Sequence, residues 1–288
     1  MSFKIRTAKL LIFSGCRIEK FCTFEGLNTI PVRKIPALAF LLILLCFQFS
    51  PTGVQSQARP MKMVAIGFYN FENLFDTIND PNVNDEEFLP DGKNKWNSQK
   101  YYEKLQHLSE VISQIGDEYV KGGPAILGFS EVENRTVVED LVKTEPLKTS
   151  GYAVAHVESA DRRGIDVGLI YQPKIFKLKN IASHRLRLDY QPDFITRDVV
   201  VVSGTIEGEK FHILVNHWPS RSSGQKETEK YRIAMAELCR YAVDSLFKLD
   251  PKANIVVMGD LNDDPTDISV TKHLGAKTKP EGLKEKEL

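Results

Sequence analysis

The sequence predicts an α/β protein in which two packed β-sheets are covered by helices on their outer faces, and three observations carry that expectation. Short apolar runs of strand length recur through residues 63–260, some joined by a tight turn and others by long amphipathic segments, an alternation that places sheets inside and helices outside. Two of the connecting segments repeat apolar residues every three or four positions, so each lays one apolar stripe on a sheet. Several of the runs stop abruptly on carboxylates and amides, which puts a polar rim where the strands end.

The first strand, residues 63–69, delivers Asn70-Phe71-Glu72-Asn73. A polar loop follows at 76–95, with Asp76, Asp80, Asp85, Glu86, Glu87 and Asp91. It does not fit the twelve-residue calcium-loop pattern, with its glycine at the sixth place and glutamate at the twelfth, and is expected to be solvated. Leu105, Leu108, Ile112, Ile115 and Tyr119 then mark a helix over 98–119, capped by Asn97 or Ser98. A second strand at 125–129 runs into Ser130-Glu131-Val132-Glu133-Asn134, with a short helix over 134–143. A third, 165–171, carries Asp166 after Arg162-Arg163-Gly164.

Residues 199–206 and 210–215 flank Glu207-Gly208-Glu209, a hairpin signal. The second arm ends on Asn216-His217-Trp218-Pro219-Ser220-Arg221. Tyr231, Met235, Leu238, Ala242, Leu246 and Leu249 form the second helical stripe, and Pro251 stops it. Cys239 on that helix reads as a small buried apolar residue, since no activating partner accompanies it. The last strand, Ile255-Val256-Val257-Met258, leaves the core at Gly259 and presents Asp260 and Asn262. Two positions apart on extended backbone, these two point the same way.

Jointly, the oxygen-rich strand ends describe a site for a hard cation and a phosphate. Magnesium takes a few carboxylate or amide oxygens together with water and phosphate oxygens. His217 adds a group that titrates near neutrality, and Arg221 a fixed cation suited to phosphate. Each feature has a plainer reading when taken alone: an Asx-type turn for Asp260 and Asn262, a rigid structural corner at His217, an exposed salt bridge for Arg221.

In order and spacing, these residues resemble the endonuclease/exonuclease/phosphatase superfamily over about residues 63–271, and its secreted bacterial branch most. Asn70 matches the family's first-strand asparagine, Glu131 its metal-binding glutamate, His217 the histidine after the central strand, and Asp260 and Asn262 the Gly-Asp-Xaa-Asn motif. The resemblance implies a four-layer α-β-β-α sandwich of two mixed sheets and metal-assisted hydrolysis of a phosphate ester. In that reading Glu131 and Asn70 hold Mg2+, with Mn2+ or Ca2+ as substitutes. Asp260 orients or deprotonates the attacking water, and Asn262 binds the phosphoryl oxygens. His217 transfers a proton or polarises the phosphate, with Asp166 as its partner, while Asn216 and Arg221 contact substrate. The expected activity is that of a secreted nuclease-type phosphodiesterase, with nucleic acid among the candidate substrates. The alternatives are a phosphatase or lipid phosphodiesterase on the same scaffold, or a truncated non-catalytic remnant.

The last alternative comes from one departure. Family members end with a strand leading into an Asp-His pair, and this sequence contains none after Asn262; its one later histidine, His273, follows Lys272 in a helix-like context. The sequence is therefore expected to lack a C-terminal part of the domain.

Composition is that of an ordinary globular protein, 42% hydrophobic and 26% charged. Its formal neutrality conceals an asymmetry: residues 1–58 hold seven Lys/Arg and two Asp/Glu, leaving 31 and 36 for the rest, so the body carries five net negative charges. That balance argues against a broad basic surface for duplex binding. Residues 37–49 are almost wholly apolar, preceded by Arg33-Lys34 and followed by Ser56-Gln57-Ala58, the order of a secretory signal. The expected division is an N-terminal extension with a signal peptide over 1–58 and one domain over 59–288. Translation starting near Val32 would account for the upstream stretch. The mature protein would be periplasmic or secreted, without a membrane span or a stable protein partner. Cys16, Cys22 and Cys46 would leave with the signal, so no internal disulfide can form.

Overall fold

The computed structural model describes residues 9–13, 63–277 and 288. The apolar run at 37–49 and Cys16, Cys22 and Cys46 lie outside them. Among the described residues no helix is long and apolar enough to cross a membrane.

Strand β1 (Lys9–Phe13) is followed by β2 (Val64–Leu74), helix α1 (Ser98–Gln114), β3 (Ile126–Val132), α2 (Arg135–Lys143), β4 (Ala153–His156) and β5 (Asp166–Tyr171). The second half of the domain adds β6 (Phe176–His184), β7 (Val199–Ile206), β8 (Glu209–His217), α3 (Gln225–Leu249) and β9 (Asn254–Asp260). One sheet has the order β1-β2-β3-β5-β4 and the other β6-β7-β8-β9. Each contains a single parallel pair, β2 with β3 and β8 with β9, among antiparallel neighbours. Residues 9–13 fall in the expected extension, yet they pair antiparallel with 64–68 along the edge of the first sheet.

Three apolar layers give the four-layer sandwich. Phe71, Leu105, Ile112, Phe129, Val138 and Leu141 join α1 and α2 to the outer face of the first sheet. Ile66, Ile126, Leu169, Val202, Ile213 and Met258 fill the space between the sheets. Leu214, Trp218, Met235, Cys239, Val243 and Val270 seat α3 and a π-helical turn at Ser269–Leu274 on the outside of the second sheet. Alternation along each strand sends successive side chains to opposite faces, which is how one strand feeds two layers.

Local chemistry explains the boundaries. The Asn97 side chain accepts from the Lys100 amide and Asn134 from that of Val137, so both helices start on asparagine caps. Helix α1 ends at Gln114, not 119: the Ile115 amide closes a tight turn onto Ile112, and Gly116 takes φ 77°. The β7–β8 hairpin turns on Glu207 and Gly208, both at positive φ, as a two-residue turn of this hand demands.

The loop at 76–95 is largely exposed, as expected, but it is anchored at its base and around one buried carboxylate. Phe75 and Phe88 stack at 4.1 Å, the Trp96 indole donates to the Phe75 carbonyl at 2.9 Å, and Asp85 is only 1% exposed.

At Gly259 the exit from β9 has no room for a side chain. Its φ is 151°, and a Cβ would stand 2.1 Å from the Asn216 carbonyl oxygen. Gly259→Ala is therefore expected to cost about 1–3 kcal/mol through forced backbone movement, seen as a lower midpoint in urea unfolding.

Candidate active site

Because β2 runs parallel to β3 and β8 parallel to β9, their C-terminal ends emerge at one edge of the sandwich, where β5 begins. Asn70 on β2 donates its amide to Glu131 Oε1 on β3 and to Asp260 Oδ2 on β9, each at 3.1 Å. One side chain thus draws carboxylates from both sheets together. The second oxygen of Asp260 accepts the Asn262 amide at 3.0 Å. His217 at the end of β8 places Nε2 3.7 Å from Glu131 Oε1.

Backbone conformation is unusual here. Glu72, Asn73, Glu131 and Asn262 all take positive φ without being glycine. Such conformations cost free energy and cluster at functional sites.

The charges around the carboxylates are asymmetric. Among the described residues no lysine or arginine forms an ion pair with Glu131 or Asp260, and Lys104, half-buried nearby, gives its ammonium to the Glu72 and Asn73 carbonyls. Burial lowers Lys104 to about 8, opposed by Glu72 and Glu131. His217, 4% exposed, is held well below its ordinary value, first by burial and then by Arg197 and Arg163. It is neutral near pH 7 as a result, and its Nδ1 is buried without a hydrogen-bond partner.

Arg197 was not expected from the sequence. It lies just before β7, buried, and donates to the Trp218 carbonyl at 2.7 Å and to Asp161 at 3.3 Å. Its Nε has no partner, although a guanidinium N–H in a buried setting normally finds one. The available signal was Thr196-Arg197-Asp198 abutting a run of four valines.

Three expected site residues serve other purposes. Asn216 is fully buried; its amide donates to the Leu214 and Met258 carbonyls, and its oxygen accepts the Trp218 indole N–H. It is a corner brace rather than a substrate contact. Arg221 donates to the Asn262 carbonyl at 2.6 Å and pairs with Asp263 and Asp267 at 3.0 and 2.5 Å. It braces the Asn262 turn instead of reaching into the site. Asp166, foreseen as the partner of His217, holds His156 Nε2 at 2.9 Å and accepts the Ser159 amide at 2.7 Å. Together with Glu158 these form a group whose ligand atoms lie within 4.8 Å of one another. Asn262 donates one amide hydrogen to the Trp218 carbonyl at 2.9 Å; an amide has two, so one remains for a ligand. His273 bonds Glu237 of α3 on the outer layer.

The donor set fits a hard divalent cation: two carboxylates without a cationic partner, an amide and oxygen-rich surroundings match magnesium chemistry. Glu131 would hold it, beside Asp260; Asn70 turns its NH2 to both carboxylates and its oxygen to the Glu72 backbone N–H at 2.8 Å, and would join as a ligand through that oxygen with the amide turned over.

An α-β-β-α sandwich with an acidic, amide-bridged site where strands of both sheets end defines a class of protein, and sequence comparison agrees. The profile of the Endonuclease/Exonuclease/phosphatase family matches residues 65–288. The chain belongs to that family. No curated protein matches it significantly. Among solved structures, the Bacteroides thetaiotaomicron mannosyl-6-phosphatase Bt3783 aligns at 16% identity with a TM-score of 0.50, covering 73% of this chain and 69% of that one. Caenorhabditis elegans TDP2 aligns at 18% identity and TM-score 0.44, covering 58% and 45%. The human Nocturnin catalytic domain aligns at 19% and 0.42, covering 58% and 60%. The chain spans about half the length of the TDP2 structures from C. elegans that it matches.

Proposed function

We propose that this protein is an exported, divalent-metal-dependent phosphoesterase that hydrolyses phosphodiesters. The observation that supports this most is the Glu131–Asn70–Asp260 bridge, which holds two carboxylates without cationic partners beside a neutral histidine and a buried arginine with an open N–H. A bound cation would neutralise phosphate charge and stabilise the leaving oxygen. Asp260, held by the Asn70 amide and the Asn262 backbone, takes the proton of the attacking water. The free amide hydrogen of Asn262 would face charge that builds on the phosphoryl oxygens, a contribution of about 2–4 kcal/mol for a well-placed donor, and the buried Arg197 adds positive charge from behind the site. His217, neutral near pH 7, accepts or relays a proton without first losing one. Export is inferred from the signal-like segment at 33–58.

The test is hydrolysis of bis-(p-nitrophenyl) phosphate, p-nitrophenyl phosphate and duplex DNA, each with Mg2+ and with EDTA. Chelation is expected to abolish turnover, and Glu131→Gln to lower it by at least about 100-fold. Metal-independent turnover, or none on any substrate, refutes the reading.

A second reading, hydrolysis of a small phosphomonoester, is favoured by the five net negative charges of the body, which repel a long polyanion. The sandwich it shares with the mannosyl-6-phosphatase is compatible with it. Faster turnover of the monoester than of either diester would establish it.

A further inference from the structure

One backbone carbonyl, that of Trp218, serves two side chains at once. Arg197 Nη2 donates to it at 2.7 Å and the Asn262 side-chain amide at 2.9 Å. A carbonyl oxygen has two lone pairs, and here each has its donor. The Trp218 N–H meanwhile donates to the Asp260 carbonyl at 2.9 Å, so residue 218 is tied to both polar members of the turn at 259–262. The Trp218 ring is fully buried, and Pro219 follows it with a fixed φ. The corner is therefore stiff, and what holds its carbonyl also holds Asn262.

Arg197 reaches this corner from just before β7, and its Nη1 lies 3.3 Å from Asp161 Oδ2. Asp161 is buried in the connection between β4 and β5, where its other oxygen accepts the Arg163 backbone amide at 3.0 Å. A line of contacts thus runs from a connection of the first sheet, through one guanidinium, to the end of β8 and on to the Asn262 amide. A planar guanidinium holds two acceptors in set directions, which a single ammonium does not. An apolar side chain would fill the same space without the cost of burying a charge, and Arg197 leaves its Nε sealed and unpaired as well. The gain from an arginine here lies in what its fork holds.

We propose that Arg197 is a positioning residue for Asn262. Anchored by Asp161, it holds the Trp218 carbonyl where that oxygen fixes one amide hydrogen of Asn262, and so aims the other into the site. The backbone of Asn262 is already set, with φ at 50° and its carbonyl taken by Arg221 at 2.6 Å. Rotation of the side chain is the freedom left, and the bond to Trp218 removes it. Arg197 itself touches no substrate. The catalytic consequence rests on the phosphoesterase reading; the linkage from Arg197 to Asn262 does not.

Arg197→Lys keeps a charge beside Asp161 and loses the fork. In the full chain, with Mg2+ and bis-(p-nitrophenyl) phosphate, it is expected to lower kcat at least about tenfold and leave KM within about twofold, the pattern of an interaction made in the transition state. In an Asn262→Ala background the same substitution is expected to change kcat by less than about twofold, because the group it aims is gone. A general loosening of the fold would multiply the two losses instead. Multiplied losses overturn the proposal, and so does an Arg197→Lys protein with undiminished kcat. Should that variant fail to fold by circular dichroism, Arg197→Met goes through the same cycle, with Arg163 at 3.5 Å still beside Asp161. A second readout needs no turnover: the side-chain NH2 signals of Asn262 in a nitrogen–proton spectrum, recognised by their loss in Asn262→Ala. Their exchange with water is expected to speed up at least about fivefold in whichever Arg197 variant is folded, as a local tie opens. Unchanged exchange overturns the linkage whether or not the protein hydrolyses anything. Faster exchange in a protein that hydrolyses none of the substrates sustains the linkage and refutes the phosphoesterase reading alone.

Discussion

Under the proposed phosphoesterase function, Asp260→Ala is expected to lower turnover with Mg2+ by at least about 10³-fold, the scale of losing a positioned general base, while leaving the fold in place. The two effects separate because the groups are different. The side chain meets the Asn70 amide and the Asn262 backbone at the rim, whereas the structural tie at this residue is its carbonyl, which accepts the Trp218 amide at 2.9 Å and survives truncation. Steady-state hydrolysis at saturating Mg2+, with circular dichroism melting on the same sample, checks both halves. Turnover above a tenth of the original rate would remove Asp260 from the mechanism.

The largest loss of stability is expected from Arg232→Ala, at about 3–5 kcal/mol. Arg232 is fully buried on α3 and donates to Asp263 Oδ1 at 2.6 Å, to the Thr228 hydroxyl at 2.6 Å and to the Gln225 carbonyl at 2.8 Å. Asp263 in turn takes Arg221 at 3.0 Å and the Ser269 hydroxyl at 2.5 Å, and its side chain is only 2% exposed. Removing Arg232 strands that carboxylate with one half-exposed cation. Arg232→Met, which keeps the apolar stem, should recover little, because the missing charge and not the missing volume is the fault. Urea unfolding measures this directly; a loss under 1 kcal/mol would mean that Arg221 alone compensates Asp263.

The same network shows what the sequence disclosed and what it withheld. Strand ends were legible because burial of Ile255–Met258-type runs must stop where polar residues begin, and that junction is visible in one dimension. Asn70, Glu131, His217, Asp260 and Asn262 are all placed by it, and the structure brings them to one edge. Arg197 was missed because its distance to His217 is set by the β7–β8 pairing and the Trp218 corner, not by any local pattern. Asn216 was drawn toward substrate by its adjacency to His217, and Arg221 by its fixed charge four residues on, with an exposed salt bridge as the plainer reading. In a strand, neighbours face opposite sides, so Asn216 turns into the corner while His217 turns to the rim. Arg221 needed knowledge of where Asp263 and Asp267 fold back. The burial of Asp85 within an otherwise exposed loop was invisible for the same reason, as was the stacking of Phe75 on Phe88.

The Asn70–Asp260 hydrogen bond joins residues 190 positions apart, one from each sheet. Neither sheet contains the site; it comes into being only when the two faces close on each other over Ile66, Ile126, Ile213 and Met258. Under the proposed function, turnover is thus a gauge of closure. A chain whose strands are all formed but whose halves have drifted slightly apart would look folded to far-ultraviolet light and yet be silent toward its substrate.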